Sequence, residues 1–298
     1  MDKDFFKKTR ILDGGMGQEL LNRGLKPKGT LWSAHALIDK ECHQMVIDAH
    51  LDFINAGAEV IVTTTFTARR NRLIQNDCEK YFEKINIKAV ELAQKARDIS
   101  KKEVLIAGGL PNQKQTYSAD LGEDLDLIEK NFYDQAKLLK NGIDFFYLDV
   151  MSSGLECEIA LKTIESFNLP VLPGVHVRDN GQLPSGETIK DIVKKYGHGK
   201  VSLWDYALYS PYTVTPEPIR NNKTKLKGWF WEPSHYKEEL GDRMLSDIFS
   251  LTCSINQYEP VGIKLNNVNI DEHLSNQQNQ RSILLATLAT EKSKEPRK

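Results

Sequence analysis

The chain reads as an α/β protein folded as one (β/α)8 barrel, and three observations predict it. Eight short apolar, β-branched runs recur along 298 residues. Most are followed by a stretch with helical periodicity, and that alternation requires parallel strands covered by helices. The runs repeatedly close on a polar residue or on paired glycines, and a barrel gathers its chemistry at the C-terminal ends of its strands. A doubly wound open sheet is the alternative. Against it stands the lack of a Gly-x-Gly-x-x-Gly turn entering a helix after the first run.

Taken in order, residues 10–13 form a buried strand that ends in Asp13 and opens into Gly14-Gly15-Met16-Gly17. Glycine there allows either a positive φ or a close approach of the backbone to a ligand. Across residues 39–55, Cys42, Met45, Val46, Ala49 and Phe53 repeat at helical spacing, with Asp39 suited to cap the start and Gly57 the end. His50 lies beside that stripe and reads as a packed or solvent-facing helix histidine. Residues 59–66 make the second strand, with Thr63, Thr64, Thr65 and Phe66 at its tip. Threonines are good strand formers, and at a tip they also offer hydroxyls to a small polar ligand.

Helix 77–101 and strand 103–109 follow, the strand closing on Gly108 and Gly109. Next come helix 124–141, strand 144–149 with Asp149 at its tip, and helix 154–166. Strand 170–177 carries His176 near its end, before a short helix over 186–196. Strands 200–206, 226–232 and 260–265 bring Asp205, Glu232 and Lys264. Helix is expected over 236–256 and 271–290, then a frayed, charged tail at 291–298. The weakest repeat follows Asp205, where Pro211, Pro216 and Pro218 leave little room for helix. No linker divides the chain, so residues 1–298 are expected to form a single domain.

A net charge of −1 gives no electrostatic case for nucleic acid or an anionic membrane surface. The charged N-terminus has no apolar core of a secretory signal, and no apolar run approaches the ~20 residues of a membrane span. Four scattered cysteines, without paired spacing, suit a reducing cytoplasm rather than a disulfide framework. A cytoplasmic protein with a small-molecule ligand is therefore expected, and a homo-oligomer is compatible with the sequence.

In a barrel the strand tips share one mouth. Asp13, Gly14, Thr65, Phe66, Asp149, His176, Trp204, Asp205, Glu232 and Lys264 would meet there. Several carboxylates with one imidazole and one ammonium suit an amine- or amino-acid-like ligand, not a phosphate, which wants exposed amides and basic groups.

Three segments carry a resemblance. Ile11-Leu12-Asp13-Gly14-Gly15-Met16-Gly17-Gln18-Glu19-Leu20 resembles the opening motif of homocysteine S-methyltransferases. Leu31-Trp32-Ser33-Ala34 also matches, and residues 50–66 match most specifically. The resemblance implies a (β/α)8 barrel. It also implies a zinc ion on three thiolates that lowers the pKa of the homocysteine thiol. The positions matching those cysteines hold Ala207, Lys264 and Leu265, so neither this metal nor any other cofactor is expected. The family glutamate that holds the substrate amine corresponds to Asp149.

Three functional readings stay open. The first is a barrel that binds an amino-acid-like or methylated-amine or sulfonium ligand without zinc-thiolate chemistry. In it Asp13 and Asp149 hold the cation, Phe66 and Trp204 supply aromatic faces, and His176 shuttles protons. The second is a zinc-independent S-methyltransferase in which Lys264 pairs with the acceptor thiolate. The third is a non-catalytic partner or regulatory barrel.

Overall fold

A computed structural model describes residues 10–178, 181–188, 190–191, 203–205, 230–232, 235–236, 263–265 and 269–292. It divides into two compact units, residues 1–196 and 197–298.

The first unit begins with Leu12 bridged in parallel to Val60. The chain then runs through α1 (Met16–Asn22), α2 (Ser33–Ile38) and α3 (His43–Ala56) into β1 (Val60–Val62). Next come α4 (Arg70–Ile74), α5 (Phe82–Ser100), β2 (Leu105–Pro111), α6 (Leu125–Leu139), β3 (Phe145–Met151), α7 (Gly154–Ile164) and β4 (Val171–Val175). The long helices stop and start where the sequence gives the signals. Gly57 closes α3 at φ 115°, the left-handed geometry that favours glycine. Asp124 and Ser153 cap α6 and α7 by accepting from the amides of Leu127 and Glu156.

The four strands lie side by side, all parallel, in the order β1-β2-β3-β4. Spatial order that follows chain order, with no reversal point, is the wall of a barrel and not a doubly wound sheet. Both faces of this wall are apolar, as a parallel sheet requires. Ile106, Phe146 and Leu148 meet the helices, whereas Val60, Ala107 and Phe145 point the other way with Tyr147 and Leu172. On β3 this period-two alternation puts Phe145, Tyr147 and Asp149 on one face.

In the second unit, β5 (Leu203–Asp205) pairs with β8 (Ile263–Leu265), and β6 (Phe230–Glu232) with β7 (His235–Tyr236). Both pairs are antiparallel, which corrects the expectation of parallel strands throughout. Two residues separate β6 from β7, and so short a link permits only antiparallel pairing. For the same reason Tyr236 is a strand residue, not the start of a helix. The last helix, α8, spans Ile270–Lys292 and so runs slightly past the end expected for it. The expected helices over 186–196 and 236–256 lie largely outside the described residues.

Candidate functional site

The site grows from the first segment of the wall. Asp13 donates its backbone N–H to Val60 O at 2.9 Å, and its carboxylate Oδ2 accepts from Val62 N at 2.9 Å. The side chain is thereby folded over the C-terminal end of β1, with 3 % of its surface exposed. Burial raises its pKa to about 8, against the pull of the Val62 amide and with a further push from the charge of Asp149.

Asp149 comes from the same end of β3. Burial raises it to about 6, and a hydrogen bond with the Tyr147 hydroxyl opposes the rise. Burial and the charges of Asp149 and Asp13 hold the Tyr147 phenol above its ordinary range. With values of about 8 and about 6, the coupled pair shares about one proton near pH 7. Two acids whose environments push their pKa values apart can hold a cation and exchange a proton near neutrality. The backbone just beyond is strained: Val150 sits at φ 60°, where β-branched residues are rare. The β3–β4 register shifts at the same place.

His50 approaches Asp13 from α3. It is fully buried, with Nδ1 3.8 Å from Asp13 Oδ2 and Nε2 3.4 Å from Thr64 Oγ1. Burial lowers its pKa to about 4, so the ring is neutral at pH 7.

Gly14 and Gly17, after Asp13, serve close packing, not unusual backbone angles. A Cβ on Gly14 would stand 2.8 Å from the Phe53 ring, and one on Gly17 would run into the Trp32 indole. Neither residue has a positive φ.

Thr65 is fully buried, and its hydroxyl donates to Gly109 O at 2.6 Å. Thr63 Oγ1 lies 3.0 Å from Thr65 Oγ1 and accepts from Gly109 N at 3.0 Å. The Thr65 hydroxyl thus braces β1 against β2. Gly109 is hemmed in as a result, with Thr65 Oγ1 and Val62 Cγ1 each 3.0 Å from where a Cβ would sit. Gly109→Ala should destabilise the protein by about 1–3 kcal/mol, the usual cost of overpacking. Urea unfolding checks this, and an unchanged midpoint would contradict it.

Phe66 has the Arg69 guanidinium 5.7 Å from its ring centroid. His176 follows β4, donates its backbone N–H to Met151 O at 2.8 Å, and lies 4.8 Å from the Tyr117 ring, centroid to centroid. Trp204 and Asp205 are on β5, Glu232 ends β6, and Lys264 lies on β8 opposite Trp204 in register. Leu265 ends β8, and Ala207 lies outside the described residues.

Behind the rim runs a buried polar layer. Glu156, in the first turn of α7, accepts from Asn112 Nδ2 and Gln113 N, each at 2.9 Å. Gln113 donates to Gln135, which donates to Asn86. Arg69 is fully buried; burial and the neighbouring Arg72 lower its pKa to about 10, and Glu156 counters them. Its Nη2 donates to Thr116 Oγ1 at 2.9 Å. Burial raises the Glu156 carboxyl against Asn112, Gln113 and Arg69. Sequence reasoning missed this layer, and also Tyr147, which reads as one more aromatic in an apolar run. The signal for the layer was the adjacent pair Asn112-Gln113 directly after a buried strand.

The homocysteine S-methyltransferase family model matches residues 10–207, more than half of the chain. The chain belongs to this family. Homocysteine S-methyltransferase 2 of Zea mays is 28 % identical over 220 residues, which cover 63 % of each protein. Its namesake in Saccharomyces cerevisiae is 24 % identical over 205 residues, again 63 % of each. The match thus spans 63 % of the length of these relatives. A shorter segment, 89 residues, is 35 % identical to homocysteine S-methyltransferase of Escherichia coli K12, covering 30 % of this chain and 28 % of that one. Among solved structures, the metallated form of the Escherichia coli homocysteine methyltransferase MmuM matches with a TM-score of 0.57 at 22 % identity. That match covers 67 % of this chain and 75 % of the other, and it supports the α/β barrel fold class. No helix among the described residues is long and apolar enough to cross a membrane.

Proposed function

We propose that this family member binds a small amino-acid-like or methylated cationic ligand at the C-terminal ends of its strands, without a zinc-thiolate centre. One observation carries the reading. Asp13 and Asp149 lie at the same end of the parallel wall, with β1 and β2 between their segments, and the charge of Asp149 reaches Asp13 while Tyr147 hydrogen-bonds to Asp149. A desolvated carboxylate pair gains most from a ligand cation, because the charge it meets is poorly screened. The names of the relatives, which include a selenocysteine methyltransferase of Astragalus bisulcatus, point to amino acids as the ligand class.

Family membership implies zinc, and the residues at the matching positions do not fit it. Alanine and leucine at 207 and 265 have no donor atom, and Lys264 brings a positive charge. Of the cysteines, Cys78 and Cys157 are buried in the apolar cores and Cys42 is half-buried against the first of them. In this reading Asp13 and Asp149 hold the cationic end of the ligand and Phe66 lines its flank.

Titration calorimetry against homocysteine, methionine and glycine betaine tests the proposal. At least one should bind, and Asp149→Asn, which keeps shape and removes charge, should weaken that binding tenfold or more. No binding by all three, or undiminished binding by the variant, would sink the ligand reading. Stoichiometric zinc in the purified protein would sink the zinc-free part.

A further inference from the structure

We infer that His50 is the proton partner of Asp13. In the ligand-free protein Nδ1 accepts a hydrogen bond from the Asp13 carboxyl, and a cation seated on that carboxylate drives one proton out to solvent. The first half stands on the geometry of His50 and Asp13 alone; the second rests on the ligand reading above.

The starting point is a buried nitrogen without a partner. His50 is fully buried, and its Nδ1 has no hydrogen-bond partner among the described residues. An unpaired buried nitrogen is costly, so a partner within reach is favoured. The ion-pair neighbour of Nδ1 is Asp13 Oδ2, 3.8 Å away, a distance that a small rotation of either side chain would close. On the other side of the ring, Nε2 lies 3.4 Å from Thr64 Oγ1. A hydroxyl can donate or accept, so Thr64 accommodates either tautomer.

The two sides are therefore linked. While Asp13 is protonated it is a donor, and the ring meets it with a bare Nδ1, its own proton on Nε2 facing Thr64. When Asp13 ionises it becomes an acceptor, and the satisfied arrangement puts the ring proton on Nδ1. The proton count is simple: the carboxyl proton passes from Oδ2 to Nδ1, the Nε2 proton leaves to solvent, and the imidazole stays neutral throughout. The ionisable groups that bear on Asp13 are His50 from α3 and, from β3, Asp149 and Tyr147. Among these described groups His50 is the one whose ring nitrogen stands beside the carboxylate, Nδ1 to Oδ2 3.8 Å, and a neutral imidazole can take a proton on one nitrogen while giving one up from the other. His50 is thus a positioning residue that sets the protonation state of the acid that touches the ligand.

Nitrogen-15 NMR of the histidine ring in ligand-free protein decides the first half. At pH 6 to 7 the proton should sit on Nε2. The Nδ1 signal should move toward the protonated form as Asp13 titrates, and that step should vanish in Asp13→Asn, whose amide still accepts from Val62. A proton found on Nδ1 already at pH 6, or a step that persists in the variant, would overturn the inference. Calorimetry with glycine betaine at pH 6.5, in buffers of differing ionisation heat, reads the second half. About one proton should be released per molecule bound, falling toward none above pH 9. Binding without proton release overturns the inference and leaves the ligand reading standing. Failure of betaine and of the two amino acids to bind defeats the ligand reading, while the NMR result still judges the pair.

Discussion

Asp13→Asn will make the protein more stable at pH 9 while leaving its stability at pH 4 nearly unchanged. The folded chain holds the Asp13 proton up to about pH 8, whereas an exposed aspartate releases it near 3.8. Between those values the folded state binds the extra proton, so stability is full below about pH 4 and drains away as pH rises to about 8. Each unit of difference corresponds to about 1.4 kcal/mol, so the total is several kcal/mol. Asparagine carries no charge to desolvate and retains an oxygen for the Val62 amide. Urea unfolding of both proteins at pH 4, 6 and 9 should show a steep decline for the parent. The variant should keep a shallower one that levels off near pH 6, left by Asp149. Parallel profiles would mean that Asp13 is not buried as described. On the proposed ligand reading, the same variant should also lose ligand affinity, because the group that costs stability would be the group that binds.

Glu156→Gln will destabilise the protein by about 1–3 kcal/mol, because one of the two oxygens that accept from Asn112 Nδ2 and Gln113 N becomes a donor and Arg69 loses the charge that counters its burial. Arg69 is fully buried, and Glu156 is the group whose charge offsets its desolvation. Arg69→Met should cost a similar amount for the mirrored reason. The double variant should cost less than the two single variants combined, because it removes both uncompensated charges together. A denaturant-unfolding double-mutant cycle measures this coupling. Strict additivity would show that the two residues stabilise the rim independently.

Much of the first unit was legible in the sequence. The runs at 59–66, 103–109, 144–149 and 170–177 are long, β-branched or apolar, and bounded by glycine, proline or charge. Each contains or overlaps an observed strand. The strand-end positions of Asp13 and Asp149 were legible for a related reason: an apolar run that closes on a carboxylate marks where the strand nears its end. His50 was not, because helical periodicity ranks a residue by the face it occupies and is blind to what stands across from that face. The use of the Thr65 hydroxyl in bracing Gly109 was not legible, since a hydroxyl at a strand end can serve the neighbouring strand as readily as a ligand. Arg69 and Glu156 resemble ordinary solvated charges at helix starts; only the packing of two loops against α7 encloses them. The antiparallel pairs escaped because strands of two or three residues carry too little pattern to reveal direction.

The threonine stitching has a bearing on how such a scaffold could change its guest. Thr63 and Thr65 fasten the chain leaving β1 to the backbone of Gly109 on β2 through both its amide and its carbonyl. The first two rungs of the wall therefore behave as one stiff plate. Adapting to a larger or differently shaped molecule would have to come from side chains that hang off this plate, such as Phe66, or from the connection that follows β2.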